Sequence, residues 1–508
     1  MPPDVLTPSS VPYVDRVRYV ETKAAQLPSC RRRAEAGTLM HKLGSLVVVL
    51  TLVTGLGAYV GWIPQLTGES SATNATTDPP PAAGPGLRIT RPPAPRAVLS
   101  AADRRPVATR RGVESLLAAA TTDSSLGPHV GLVVESAGSR RVLYESGGSH
   151  LMTPASTLKL LTAAAVLSTL GPEHRFDTTV VRGPGPRRLV LVGGGDPLLT
   201  DRSPGRASTP HSSHASLQEL ARLTARELRK QGLRRVKLGY DASLFAGPSV
   251  SPAWEPSYVP ESIVSPITPL WVDEGRVVAG QTERVDDPSA VAAARFARLL
   301  AEERITVSGS ITAVKAPAAV DLVAAVQSAP LDEIVQHVLE LSDNEAAEVL
   351  LRHTAIGSGR PATFEGGVEA VKAALTDLGV DVTQATLHDG SGLSRQNLVP
   401  VSALVDVLQV ALSPDHPELR VVAVGLPVAG FTGSLDYRFV DDSAAGLGVV
   451  RAKTGTLTGV HALAGLVTSA DGELLVFAAV GDKVPVIRTL DARAQLDKIA
   501  SLLAGCGC

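Results

Sequence analysis

The stretch Thr153-Pro154-Ala155-Ser156-Thr157-Leu158-Lys159 constrains the fold more than any other part of the 508-residue chain. It opens a run, residues 158–170, that is Leu, Ala and Val on almost every side, which is the pattern of a helix buried all round. Thr153 suits an N-cap, and Pro154 suits the first helical position, where its missing N–H costs nothing. Gly171-Pro172 then ends the helix. Ser156 is thus expected in the first turn, with Lys159 three residues on and on the same face. A lysine on a buried helix is disfavoured in its charged form, so its affinity for a proton falls. Such an amine can take the proton of a neighbouring serine hydroxyl, which needs a base to become a nucleophile. Ser-x-x-Lys alone recurs by chance about once in a chain of this length, so its meaning depends on the rest of the sequence.

Upstream of that stretch the chain is not built to fold as a domain. Residues 1–42 carry seven Lys/Arg against four Asp/Glu, and residues 43–63 follow without a single charge. That apolar length spans a bilayer, and the basic flank keeps the N-terminal side in the cytoplasm. A cleaved signal peptide has a shorter apolar core and a shorter leader, so we expect a cytoplasmic tail (1–42) and an uncleaved single-pass anchor (43–63). Everything beyond residue 64 is then on the extracytoplasmic side of the cytoplasmic membrane. Residues 64–112, with Pro79-Pro80-Pro81 and Pro92-Pro93-Ala94-Pro95, cannot bury a core and read as an extended linker.

A length of 508 residues suits two or three units. A short helix (113–120), a hairpin with strands at 129–136 and 141–146, and the buried helix form one body. Residues 177–316 alternate short strands (188–192, 235–240, 306–314) with Pro/Gly/Ser loops and a helix near 215–231, and read as a β-rich domain inserted into it. Within the insert, Gly193-Gly194-Gly195-Asp196-Pro197 follows a strand but has no Lys-Ser/Thr and no receiving helix, so a tight turn is expected, not a phosphate loop. The first body is therefore split into 113–176 and 317–508.

In the second part, 331–353 is helical by period but broken at Ser342-Asp343-Asn344, which reads either as a cap between two helices or as a site. His388-Asp389 lies in a loop, where Asp-Gly turn chemistry explains it. A strand runs into Lys453-Thr454-Gly455-Thr456, two more strands follow at 461–468 and 473–480, and an amphipathic helix spans 486–504. Strands beside a terminal helix predict an antiparallel sheet with helices packed on it. No cysteine lies in the body of the chain, so no disulfide framework or zinc site is expected to hold the fold. Cys506-Gly507-Cys508 reads as a metal or redox handle or as an incidental frayed tail, and the tail is the expectation. The net charge of −2 leaves no electrostatic footprint for nucleic acid. Arginine outnumbers lysine 38 to 10, so a lysine in a motif points to a need for its titratable amine.

Ser156-x-x-Lys159, Ser342-Asp343-Asn344 and Lys453-Thr454-Gly455 occur in a fixed order that carries far more information than any one of them. On these motifs the chain resembles the serine penicillin-recognising enzymes. The large insert, Gly194-Gly195-Asp196-Pro197, Asp241-Ala242-Ser243-Leu244-Phe245, His388-Asp389-Gly390-Ser391-Gly392-Leu393-Ser394 and Gly433-Ser434-Leu435 make the resemblance closest to the DacB-type D-alanyl-D-alanine carboxypeptidases/endopeptidases. It covers about residues 113–504. It implies an α+β serine β-lactamase/DD-peptidase-like fold, an antiparallel sheet with helices on both sides plus an all-helical part. It also implies a D-Ala-D-Ala carboxypeptidase, with endopeptidase action on the same chemistry, acting on peptidoglycan stem peptides and inhibited by β-lactams.

The resemblance assigns Ser156 as nucleophile, Lys159 as its base, Ser342 as proton relay and Asn344 as a hold on the substrate backbone. Lys453 would keep the pocket electropositive, and Thr454 and Thr456, beside Gly455, would bind the terminal carboxylate. Backbone N–H groups of Ser156 and Thr456 would form the oxyanion hole. No metal or other cofactor is implied. A serine β-lactamase shares the three motifs, but no Glu-x-x-Leu-Asn follows the second. A catalytically silent module for cell-wall peptides is the alternative from another class, and the intact Ser156, Lys159 and Lys453 speak against it.

Overall fold

A computed structural model describes residues 108–203, 214–319 and 321–508. In chain order its elements are α1 (Arg110–Thr121), β1 (Val130–Ser136), β2 (Val142–Ser146), β3 (Leu151–Met152), α2 (Lys159–Leu170), β4 (Asp177–Arg182), β5 (Arg188–Val192), α3 (Leu217–Lys230) and β6 (Arg235–Asp241). Then come α4 (Pro288–Glu302), β7 (Thr306–Val307), β8 (Thr312–Ala313), β9 (Leu322–Gln327), α5 (Leu331–Leu341), α6 (Asn344–Gly357), α7 (Phe364–Asp377), β10 (Val399–Pro400), α8 (Val401–Ala411) and α9 (Arg420–Val424). The chain closes with β11 (Val450–Leu457), β12 (Val460–Thr468), β13 (Leu474–Gly481) and α10 (Thr489–Ala504).

The main sheet is antiparallel in the order β11-β12-β13-β1-β2. Its central strands are apolar at consecutive positions because both faces are covered. Along β13, Val476, Ala478 and Val480 point into the core shared with α2 and α5–α8, while Leu475, Phe477 and Ala479 point into the core shared with α1 and α10. The period-2 alternation of a strand thus feeds two separate cores. Helix α2 is buried from Lys159 through Val166 to Leu167, as its composition predicts. Gly171 closes it, its N–H donating to Leu167 O at 2.8 Å with φ +82.

The start of that helix departs from expectation. Thr153 is not its cap, and Ala155–Leu158 form a 3₁₀ turn that precedes α2. Lys159, not Pro154, is the first α-helical residue.

The insert has its own sheet, in the order β7-β6-β5-β4-β9, with β8 also on β6. It takes in Leu322–Gln327, so the region runs past residue 316. Pairings β5–β6, β6–β7 and β6–β8 are parallel, with α3 and α4 as the crossovers and a third core between them and the sheet. The expectation of a merely β-rich insert is therefore corrected to a layered α/β unit. Helix α4 was not expected, although Asp287 caps it by accepting from Ala290 N–H at 2.9 Å and Pro288 stands at its first turn. The strand expected over 306–314 is two short strands, because Gly309 (φ +81) breaks the run.

The terminal Cys506-Gly507-Cys508 is not frayed. Its cysteines form a disulfide with each other, Cys506 is buried, and Cys508 O accepts from Thr109 N–H at 2.7 Å. Ala108 is tied down beside it, donating to Glu473 Oε2 and accepting from Arg141 Nη2, each at 2.7 Å. The segment 43–63 expected to span a membrane lies outside the described residues. Among those described, no helix is long and apolar enough to cross one.

Candidate active site

The nucleophile turn is placed by close backbone contacts. Ala155 is fully buried with φ +47, a left-handed conformation that costs a residue with a Cβ about 1–2 kcal/mol. Two glycines make room for it. A Cβ on Gly455 would come within 2.7 Å of Pro154 O and 3.3 Å of Ala155 Cβ, and a Cβ on Gly392 (φ +85) would strike the Ala155 carbonyl. Gly455 is therefore needed so that β11 can pass the turn, independently of any substrate. Thr157 Oγ1 donates to Pro154 O at 2.6 Å and secures the turn internally.

Ser156, the second residue of this turn, is half-buried. Lys159 has no exposed surface, and its Nζ donates to Ser156 Oγ at 3.0 Å, Asn344 Oδ1 at 2.7 Å and Ser391 O at 2.7 Å. Those three bonds use all the donors of an ammonium. Burial pushes this amine down to about 8, against the pull of the Glu348, Asp389 and Asp343 carboxylates. An amine so placed can lose one proton and then accept the Ser156 hydroxyl proton over the same 3.0 Å contact.

Ser342-Asp343-Asn344 is both things that its sequence allows. Ser342 ends α5 in a left-handed conformation (φ +61), and Asp343 caps α6, its Oδ1 accepting from Ala346 N–H at 2.9 Å. The turn between the helices turns Ser342 Oγ to Lys453 Nζ (2.8 Å) and Asn344 to Lys159. Asp343 Oδ2 lies 3.1 Å from His337 Nε2. Burial opposes ionisation of Asp343, but the His337 bond and charge outweigh it and hold the carboxyl below the usual range.

Lys453 is fully buried on β11 and also donates to Thr454 O at 3.0 Å. Burial drives its amine well down, and the nearby positive charge of Lys159 drives it further. Thr454 Oγ1 donates to Ser434 Oγ at 2.9 Å, so the Gly433-Ser434-Leu435 turn belongs to this rim. Thr456 is exposed two residues along the same strand. The structure thus joins Ser156, Lys159 and Asn344 in one hydrogen-bonded group. Ser342, Lys453, Thr454 and Ser434 form a second, and the turn at 342–344 links the two.

Sequence reasoning missed two contributors. Ser391 acts through its carbonyl, which no side-chain motif reports. Glu348, buried on α6, accepts from Gly390 N–H at 3.0 Å and Ser391 N–H at 2.8 Å and so aims that carbonyl at Lys159. Asp389 organises the loop. Its Oδ1 accepts from Gly392 N–H and Asn397 Nδ2, and its Oδ2 from Ser394 N–H and Trp254 Nε1. A carboxylate inside a helix that reads as amphipathic gives no local signal of such a task.

The D-Ala-D-Ala carboxypeptidase 3 (S13) family model matches residues 113–283 and 278–504. The chain is 34% identical over 468 residues to carboxypeptidase DacB of Mycolicibacterium smegmatis, covering 91% of this chain and 96% of that one. It is 30% identical over 429 residues to the D-alanyl-D-alanine carboxypeptidase of Actinomadura sp. strain R39, covering 68% and 76%. Penicillin-binding protein 4 (dacB) from Haemophilus influenzae shares the fold, with a TM-score of 0.62 at 24% identity over 77% of this chain and 97% of that one. The same protein has been solved complexed with a β-lactam, and that structure matches with a TM-score of 0.57 at 25% identity over the same shares.

Proposed function

The chain belongs to the D-Ala-D-Ala carboxypeptidase 3 (S13) family and is a serine-type D-Ala-D-Ala carboxypeptidase, and from that premise we propose how its own residues do the work. The observation that carries the reading is the buried Lys159 amine, set between Ser156 Oγ and Asn344 Oδ1. As free base, Lys159 takes the Ser156 proton while Oγ attacks the carbonyl of the D-Ala-D-Ala bond of a stem peptide, forming an acyl-enzyme. Ser342 passes a proton towards the leaving amine, fed by Lys453 at 2.8 Å. Asn344 holds the substrate backbone.

The terminal carboxylate is bound by Thr454 and Thr456 beside Gly455, and its charge restores a proton to Lys453, whose burial disfavours one in the empty site. The N–H groups of Ser156 and Thr456 face the developing oxyanion, where one donor is worth ~10²–10³ in rate. Water then releases the acyl group. A crosslinked stem peptide presents the same bond, so endopeptidase action needs no further chemistry.

β-Lactams acylate the same serine and leave slowly. Glu348 is engaged with two backbone N–H groups, so it is not available to activate a deacylating water. That favours a target of β-lactams over a β-lactamase, and the complete lysine–serine geometry speaks against a silent binding module. We further propose that residues 43–63 anchor the protein and hold this domain on the cell-wall side of the cytoplasmic membrane.

A membrane-impermeant fluorescent penicillin on intact cells tests these points together. The full chain should take up one stable adduct per molecule, and Ser156→Ala none, with D-Ala release lost in parallel. Absence of adduct on folded wild type would sink the catalytic reading, and labelling only after lysis would sink the topology. Steady turnover of a chromogenic cephalosporin would point to a β-lactamase.

A further inference from the structure

The geometry points to a divalent-cation site formed by Glu274 of the insert with His337 and Asp343 of the catalytic body. One ligand atom from each lies within 4.8 Å of the others. His337 Nε2 and Asp343 Oδ2 are 3.1 Å apart, matching the roughly 3.0–3.4 Å between two ligands held ~2.1 Å from one ion. A shared proton also accounts for that pair. It does not account for Glu274, whose carboxylate is brought against that of Asp343.

The remaining atoms of the acidic residues are already held, as they are around bound metals. Asp343 Oδ1 accepts from Ala346 N–H. Arg276 donates from Nε (3.0 Å) and Nη2 (2.6 Å) to the same oxygen of Glu274, Oε2, which leaves the other oxygen for a ligand. The backbone here is held in an uncommon shape, with Asp273, Glu274 and Gly275 all left-handed (φ +52, +57 and +70).

The site is open to a cavity of about 300 Å³ lined by Glu274, His337 and His214. The His214 ring stands 6.3 Å from that of His337, a fourth donor facing the same space. Four carboxylates gather here, on Asp273, Glu274, Asp343 and Glu345. They face three guanidinium groups, on Arg276, Arg284 and Arg295, and the His337 ring, whose proton a bound ion would displace. One imidazole with two carboxylates suits Zn²⁺ or Mn²⁺ better than Ca²⁺ or Mg²⁺, which prefer oxygen alone. A bound ion would tie the insert to the turn that carries Ser342 and Asn344. This inference stands apart from the peptidase reading and holds or fails without it.

The test strips the full-length, oxidised protein with EDTA, dialyses it, titrates it with ZnCl₂ and MnCl₂, and counts retained metal by mass spectrometry. Wild type should hold one equivalent. Glu274→Gln and His337→Asn should each bind at least about tenfold more weakly, and a Cys506→Ser/Cys508→Ser double variant should bind as wild type does. No retained equivalent, an equivalent unchanged in folded Glu274→Gln, or one lost with the cysteines would each overturn the site. Circular dichroism and the penicillin adduct report folding, and if His337→Asn does not fold, Glu274→Gln decides.

Discussion

Titration of Lys159 should set the pH dependence of acylation. Only the free amine can take the Ser156 proton, and burial brings its pKa from 10.5 to about 8. At pH 7 about one-tenth of the enzyme then has the free base, against about one part in 3,000 for an ordinary lysine, a gain of about 300-fold or roughly 3 kcal/mol. The sign is fixed by the direction of that shift. Acylation should climb tenfold per pH unit below about 8 and level off above it, because a lowered amine pKa means that protons are lost as the pH rises through 8, not through 10. Lys159→Arg stays charged throughout and should lose the ~10²–10⁴ that general base catalysis supplies. The assay is the second-order rate of labelling by fluorescent penicillin from about pH 5.5 to 9.5, followed by intact mass. A flat profile, or a break near 10, would refute the assignment of Lys159 as base.

Two other substitutions probe the supports of this group. Gly392→Ala places a Cβ against the Ala155 carbonyl at positive φ, so the nucleophile turn has to move. A misplacement of about 1 Å costs ~10² in rate, and we expect at least that loss in penicillin labelling; a variant labelling at the wild-type rate would show that the turn is not set by this contact. Glu348→Ala strands the buried N–H groups of Gly390 and Ser391, at about 1–3 kcal/mol each, while Glu348→Gln keeps an acceptor and should lose less. Denaturant unfolding of the two variants checks the order, and equal stability would mean that the loop finds other partners.

The sequence exposed the chemistry better than the geometry that delivers it. Strands β1, β2, β12 and β13 lie within a residue or two of their expected positions: β1, β12 and β13 because two-sided burial produces long apolar runs between clear turns, and β2, a partly exposed edge strand, because the hairpin turn before it is clear. Lys159 stood out as an amine where only apolar residues belong, and Lys453 through its Lys-Thr-Gly motif in a chain whose usual cation is arginine. The nucleophile turn was misread because Thr153 and Pro154 are good helix starters. What overrides them is the approach of Gly392 and Gly455, residues distant in sequence. Helix α4 was missed although its Asp-Pro start was visible, since its Ala- and Arg-rich body blurs the apolar face. The Ser391 carbonyl and the seating of Cys508 on Thr109 are backbone contacts across 232 and 399 residues, and nothing local announces them.

The way residues 108 and 109 are tied down has a mechanical consequence. Four hydrogen bonds join them to Arg141, Glu473 and Cys508, where the β1–β2 and β12–β13 turns lie. Thr456 is at the other end of the same sheet, in register with His461 and, through Gly481, with Val130. A pull on the chain ahead of residue 108 would load the far end of the sheet, along strands that resist it together. The 3₁₀ turn that holds Ser156 packs beside Gly455, next to Thr456, so the nucleophile sits at the opposite end of the sheet from the point where such a pull would enter.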